Sequence, residues 1–340
     1  KERPKGTVNE KMITGEIELN SSELSILSKS KPMPFQLDEH VKVGEETRLK
    51  YRYLDLRRSE MQETIKTRSK VSNEIRQFLI SNDFIDIETP MMTKATPEGA
   101  RDFVIPSRVN QGSFYALPQS PQLFKQLLMI SGFGKYFQIV RCFRDEDTRK
   151  DRQPEFTQVD IESSFTSTEE VMTLGENLIK EIFKKALKID LKDFPVMSYS
   201  ESIERFGSDK PDLRNPLELI DVKDIFTESE FKVFSDPAKN RKSRLVALKI
   251  SNSLSRSQID DYTKFVGNYG AKGLAYIKVN DENDLKEGLQ SPILKLLSEK
   301  EIASLSEKLN FSAGDTVFFG AGHKKIVNES MGALREKLGE

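Results

Sequence analysis

The sequence is poor in the residues that most often carry covalent or metal chemistry. Its 340 residues include one cysteine, Cys142, and two histidines, His40 and His323. A single cysteine excludes an internal disulfide, as expected of a protein kept in a reducing compartment. Cys142 also sits inside an apolar run, which fits a packed thiol better than a nucleophile. Neither histidine has a metal-like partner spacing. No apolar run approaches the ~20 residues needed to span a bilayer. No signal peptide is visible, although the abrupt start KERPKGTVNEK does not look like a natural amino terminus. An excess of one charge is missing too. Lys+Arg 53 against Asp+Glu 54 leaves a net charge of -1, so any contact with nucleic acid has to be local. One local candidate is the basic set Arg48, Lys50, Arg52, Arg57, Arg58, Lys66, Arg68 and Lys70, against Asp55, Glu60 and Glu63. A solvated helix face would read the same way.

What the chain does have is a stretch of strict alternation, KYFQIVRCFRDEDTRKDRQPEFTQVDIE, from Lys135 to Glu162. Side chains alternate along a strand, so Gln138, Val140, Cys142, Arg144 and Glu146 fall on one face. On the return strand Phe156, Gln158, Asp160 and Glu162 share a face, with Thr157, Val159 and Ile161 opposite. The loop from Asp147 to Pro154 carries Arg149 and Arg152 and no apolar residue. Such a hairpin suits a nucleotide: Arg forks around a phosphate, Phe stacks on a base and Glu accepts from an amino edge. A surface hairpin with scattered ion pairs reads the same locally.

The flanking elements follow from periodicity and punctuation. Met61, Ile65, Val71, Ile75, Phe78 and Leu79 make one helical stripe, followed by an extended Phe84–Ile87 ending at Thr89-Pro90. ATPEGARD lacks periodicity and reads as a mobile loop. Ser113–Leu117 is strand-like. Ser120 as N-cap and Pro121 at the first helical position open a helix that places Gln122 and Lys125 on one face and Leu123, Leu127 and Ile130 inward. Ser167-Thr168-Glu169-Glu170 is a capping box for a helix with Val171, Leu174, Leu178, Ile182, Phe183 and Leu187 inside. The segment 194–214 is read as returning toward the first sheet. From Asn215 strands (244–250, 274–279, 316–319) alternate with helices (257–269, 292–309, 325–338), a separate small α/β or α+β domain. Near the amino end only short strand-like pieces, Gly15–Leu19 and Ser22–Leu27, are present.

Phe143-Arg144-Asp145-Glu146 with RQPEFTQVDIE resembles motif 2 of the class II aminoacyl-tRNA synthetases, in the form carried by the bacterial-type aspartyl-tRNA synthetases of subclass b. YRYLDLRR (51–58), TPMMTKATPEGARDF (89–103) and ALPQSPQLFKQLLM (116–129) are similar to further stretches of that family in the same order. The resemblance implies an α+β fold. A remnant of an anticodon-binding OB-fold β-barrel covers 1–35 and a hinge covers 36–60. The amino-terminal part of an antiparallel-sheet catalytic domain, with motifs 1 and 2, covers 61–214. An insertion domain similar to the GAD module, carried by YGAKGLAYIKV, covers 215–340. Motif 1, the long helix and the strand ending in Pro90, implies a homodimer interface.

The same resemblance implies the chemistry: ATP-dependent activation of L-aspartate to aspartyl-adenylate, then transfer to the 3' end of tRNA(Asp) or also tRNA(Asn). Arg144 is the implied catalytic residue, at the α-phosphate and the attacking carboxylate. Arg144, Asp145, Glu146, Gln153 and Phe156 are the implied ATP site, with Arg152 a weaker phosphate candidate. Glu98 on the lid would hold the aspartate ammonium. Ser120, Gln122, Leu123, Phe124, Lys125 and Arg144 would form the aspartate pocket, Lys125 pairing the side-chain carboxylate. Leaving that ammonium unpaired against asparagine can discriminate by ~10⁴-fold. Mg²⁺ is expected to accompany ATP, with its main carboxylate ligands beyond residue 340 and Asp160 and Glu162 poor substitutes. Motif 3 has no match, and Gly332-Ala333-Leu334-Arg335 is a helical decoy, so the chain reads as an internal segment of a longer enzyme. A bacterial cytoplasm, or a mitochondrial or plastid matrix, is the expected location. A catalytically silent binding module and an aspartate-activating amide synthetase remain the alternatives.

Overall fold

The alternating stretch does form a hairpin, and its register decides what each face does. In the computed structural model, which describes residues 1–37, 42–149 and 151–339, the strands of the first unit are β1 (Ile85–Asp86), β2 (Val104–Pro106), β3 (Phe114–Ala116), β4 (Lys135–Phe143) and β5 (Glu155–Ser163). β4 and β5 pair antiparallel with Gln138 opposite Asp160, Val140 opposite Gln158 and Cys142 opposite Phe156. The two even-numbered sets therefore lie on one face. On the other face Phe137, Ile139 and Ile161 pack against Val71, Ile75 and Leu79 of the helix Ser59–Ser81 and Leu174 and Leu178 of the helix Thr168–Ile182. β1 joins the outer edge of β4 in parallel, and β2 and β3 form a separate two-stranded ribbon.

Several local expectations are met and some are corrected. The capping box forms: Glu170 N–H donates to Ser167 Oγ at 3.2 Å and Ser167 N–H donates to Glu170 Oε2 at 2.7 Å. The long-helix stripe splits, because Ile65 is exposed and only its carboxy-terminal half reaches the core. Val171 and Leu187 are exposed rather than inward. So are Leu123, Leu127 and Ile130 of the helix Gln122–Ile130, since no element among the described residues of this unit covers that side. Among the described residues of 1–37 the only pairing is the bridge Glu2↔Ile17, and Leu19, Leu24, Ile26 and Leu27 stay exposed. Those strand-like pieces lack neighbours to pair with. The hinge folds into two short helices, Glu45–Lys50 and Arg52–Asp55; its residues 38–41, which include His40, lie outside the described set.

Three of the eight cations in the basic set are engaged within the hinge. The Asp55 carboxylate is fully buried, and Arg48 (2.8 Å), Arg52 and Arg58 (3.4 Å) all converge on it. The Arg48 hydrogen bond above all holds Asp55 below the usual carboxylate range. A buried carboxylate without such partners would be costly, so these three cations tie the hinge together rather than await a polyanion.

The chain divides into two compact units between Phe194 and Pro195, earlier than the change of character at Asn215. The second unit has a fully antiparallel sheet in the order β6 (Leu219–Asp221), β7 (Ser243–Ile250), β10 (Thr316–His323), β8 (Ala275–Val279), β9 (Leu289–Gln290). It is therefore α+β. One face buries Phe226, Phe234, Leu305 and Phe319, the other Leu248, Ile259, Val266 and Met331. The expected helix 292–309 is a short 3₁₀ turn, Leu294–Leu296, followed by the helix Glu299–Leu309 behind its own capping box.

Arg335 explains why 195–214 belongs here. It lies within the helix Lys324–Gly339 and is 1% exposed. Its guanidinium donates to the carbonyls of Leu217, Asp212 (2.9 Å) and Asn215 (2.6 Å), and stacks 4.7 Å from the Phe206 ring. The Gly332 beside it lets this helix approach Gly207 closely: a Cβ there would lie 2.9 Å from the Gly207 carbonyl oxygen. The helical decoy is thus a structural clamp. Arg335→Leu removes donors to three carbonyls and should lower unfolding stability by about 3 kcal/mol. Arg335→Lys should recover little of it, because a point ammonium cannot replace the planar fork. Denaturant midpoints of the two variants check this.

Candidate functional site

The even-numbered face of β4 and β5 carries the polar side chains, and elements distant in sequence close over it. Lys125, one turn into the helix Gln122–Ile130, reaches down to the sheet. Its Nζ lies 3.1 Å from Asp160 Oδ1 and 3.1 Å from Glu162 Oε2. Burial alone would lower the Lys125 pKa, but the hydrogen bonds and charges of the two carboxylates outweigh it and raise the group above the usual lysine range. The expected salt-bridging role is thus already filled from within the chain. Asp160 is 5% exposed, and its other oxygen, Oδ2, has no hydrogen-bond partner. A buried carboxylate oxygen left this way is a ready acceptor for a donor from outside.

Behind this pair lies a buried network that periodicity gives no hint of. Thr89 Oγ1 and Tyr136 Oη both donate to Gln138 Oε1, at 2.9 and 3.1 Å. Burial first, and then the nearby charge of Asp160, push the Tyr136 hydroxyl well above its ordinary pKa, so it stays a donor.

The loop ATPEGARD is tied down by side chains just before the helix Gln122–Ile130. Ser120 does not cap its helix, because Pro121 occupies the capping position. Its Oγ instead donates to Glu98 Oε2 at 2.6 Å, while Thr96 Oγ1 donates to Glu98 Oε1 at 3.0 Å. Gly99 between Glu98 and Ala100 has φ +107°, which a side chain would strain. The anchor of the loop is Gln119, 1% exposed, which accepts from Ala100 N–H at 3.1 Å and donates to the Ala100 carbonyl at 2.9 Å and to Asp102. Sequence reasoning missed Gln119. Its only signal is position, one residue before the Ser-Pro pair.

At the open end of the hairpin Arg144, Glu146, Arg152, Gln153 and Phe156, with Asp147 and Asp151, line a cavity of about 320 Å³. The Arg144 guanidinium lies 5.0 Å from the centroid of the Phe156 ring. Arg152 is 3.7 Å from Glu146. Asp145 does not line the cavity; its N–H donates to the Arg101 carbonyl at 3.0 Å, which fastens the lid to the hairpin. Gln122, Leu123 and Phe124 sit on the helix beside Lys125, Leu123 exposed to solvent.

Cys142, opposite Phe156 on the same face, is fully buried, and burial pushes its thiol up to about 11, against a lowering by the charge of Arg144. A cation stacked on an aromatic face, a carboxylate oxygen short of a donor and a hinged acid together suit an amino-acid-like ligand beside a phosphate-bearing ring. Among the described residues no group of three or more His, Cys, Asp or Glu side chains is placed to hold a metal ion, and no helix is long and apolar enough to cross a membrane.

A family profile described as tRNA synthetases class II (D, K and N) matches residues 44–315, more than half of the chain. Among solved structures, the asparaginyl-tRNA synthetase from Pyrococcus horikoshii complexed with asparaginyl-adenylate is similar at 16% identity, over 94% of this chain and 76% of that one, with a TM-score of 0.45. A putative aspartyl-tRNA synthetase from Leishmania major Friedlin is similar at 18% identity, over 89% and 70%, with a TM-score of 0.41. The profile match is what carries the assignment.

The burial of Cys142 gives a direct check. In the folded protein it should react with a disulfide reagent at pH 8 at least about 100-fold more slowly than in denaturant. Because the folded thiol holds its proton to about 11 and an unfolded one to about 8.5, the unfolded chain ionises first. Stability should therefore fall as pH rises through that window, and Cys142→Ala should remove that part of the slope.

Proposed function

This chain belongs to the class II tRNA synthetases (D, K and N), and from that premise we propose that it carries motifs 1 and 2 of a bacterial-type aspartate–tRNA ligase. The reaction proposed has two steps. The α-carboxylate of L-aspartate attacks the α-phosphorus of ATP, giving aspartyl-adenylate and pyrophosphate. The aspartyl group then passes to the terminal ribose of tRNA(Asp), with tRNA(Asn) as the second acceptor to be tested. Displacement of this kind asks mainly for alignment and charge stabilisation, which suits a site built without histidine.

The observation that carries the reading is the cavity in which Arg144, Glu146, Gln153 and Phe156 converge. Phe156 would stack on adenine, Glu146 and Gln153 would read its edge or ribose, and Arg144 would leave the ring face for the α-phosphate as negative charge gathers there. Glu98 and the free oxygen of Asp160 are acceptors suited to the substrate ammonium. Lys125, now paired with Asp160 and Glu162, would have to exchange one of those carboxylates for the substrate's side-chain carboxylate. A homodimer through motif 1 is proposed from the family resemblance. Mg²⁺ would enter with the ATP phosphates, and no step is assigned to residues of this chain through it. A bacterial cytoplasm is the proposed setting.

The test is amino-acid-dependent ATP–pyrophosphate exchange by the complete protein. Exchange should require aspartate. Exchange driven instead by asparagine or lysine would sink the substrate assignment while leaving the family intact. Arg144→Ala should lower exchange by about 10²–10³-fold with an unchanged circular dichroism spectrum. A normal rate in that variant would end the proposed role of Arg144.

A further inference from the structure

β10 is the middle strand of the second sheet, but its two edges are not covered alike. Toward β7 it pairs along its whole length, from Thr316↔Ile250 to His323↔Ser243. Toward β8 pairing stops at Phe319↔Ala275, and Gly273 and Leu274 just before it are not in a strand. The parity of the strand identifies the groups left over. The Asp315 carbonyl accepts from Val279 N–H at 2.9 Å on the β8 side, and Lys324 N–H donates to the Lys242 carbonyl at 3.1 Å on the β7 side. Alternation then turns the backbone N–H and C=O of Ala321 and the N–H of His323 toward the side that has no strand, the His323 carbonyl being the first acceptor of the helix Lys324–Gly339.

A cavity of about 770 Å³ lies beside this edge. It is lined from both layers, by Val233 and Phe234 from beneath one face of the sheet and by Val266, Ile326 and Met331 from above the other. This is the space that a further length of strand beside β10 would fill. The strand beside it reads Gly320-Ala321-Gly322; Gly320 lets the helix Lys324–Gly339 pack close, since a Cβ there would sit 2.4 Å from Met331 Cγ, while a Cβ on Gly322 would meet nothing within 4 Å. The lining holds no acidic side chain. Its one lysine is Lys272, which is exposed and forms no ion pair among the described residues.

We propose that this slot binds an extended apolar peptide segment with a free C-terminal carboxylate, added as a strand along Gly320–His323. Backbone hydrogen bonds to Ala321 and His323 set its register, its inward side chains enter the cavity, and its carboxylate meets Lys272. Four residues of free edge at ~3.4 Å each accommodate about four residues of peptide. A compact apolar molecule would fill the cavity but leave the strand edge unused, which is why a peptide fits better. Strand addition of this type draws affinity from the main chain and selectivity from side-chain pockets.

The experiment uses the full chain and a fluorescein-labelled Gly-Ser-Thr-Val-Thr-Val peptide with a free carboxylate, followed by fluorescence anisotropy. Saturable binding is expected, with slowed amide exchange at Ala321 and His323. Lys272→Glu, on an exposed loop, should weaken binding about fivefold or more, and so should a C-terminal amide. Methylating alternate peptide nitrogens should abolish it. Three outcomes overturn the proposal: no saturation by about 1 mM, equal binding of the N-methylated peptide, or equal binding of the amide-ended peptide. A fourth is slow exchange at Ala321 and His323 before any peptide is added, meaning that the chain's own 271–274 segment closes the slot.

Discussion

The β4–β5 register is the constraint on which the first unit depends. Because Gln138 lies opposite Asp160 and Cys142 opposite Phe156, one face of the hairpin is polar and the other apolar. The apolar face holds the two long helices in place, so the strands cannot slide without exposing Phe137 and burying charge. A one-residue slip would invert both faces at once. That penalty gives the polar face its rigidity, and rigid placement is what a site that works by alignment requires.

The polar face is organised by compensation. Lys125 answers Asp160 and Glu162, Ser120 answers Glu98, and two hydroxyls answer one amide oxygen. Each ionic group taken from water finds a partner, with Asp160 Oδ2 the exception among the buried oxygens of this face. Truncating one partner of such a pair leaves the other charged and buried, which costs more than the pair contributes. In an enzyme of this family, a ligand that supplies the missing donor would complete the network rather than build it.

The hinge and the second unit use arginine in the same structural way. Asp55 gathers three guanidinium groups, and Arg335 gathers three carbonyls from 212–217. Both lie in stretches where a reader of charge alone would look for nucleic acid or phosphate. For Arg335 burial decides otherwise: at 1% exposed, with Nε and Nη2 bound to three backbone carbonyls, it is held inside its own unit.

The sequence by itself determined the hairpin, its two faces, the capping box at Ser167 and the three long strands of the second unit with the helices that follow them, but not its short strands β6 and β9 or the helices before β7. Those properties are written in periods of two and three to four residues and in local cap chemistry, so they need no distant partner to be read. It also brought forward Arg144, Glu146, Gln153 and Phe156, neighbours on one hairpin. Tertiary structure alone decided that Ser120 serves Glu98 instead of its own helix, that Lys125 pairs with carboxylates 35 and 37 residues further along, that Leu123 and Ile130 face solvent, and that 195–214 leaves the first sheet for Arg335. Each of these rests on contacts between residues far apart in the chain, or on their absence. Hydrogen-bond partners chosen in space leave no period in the sequence.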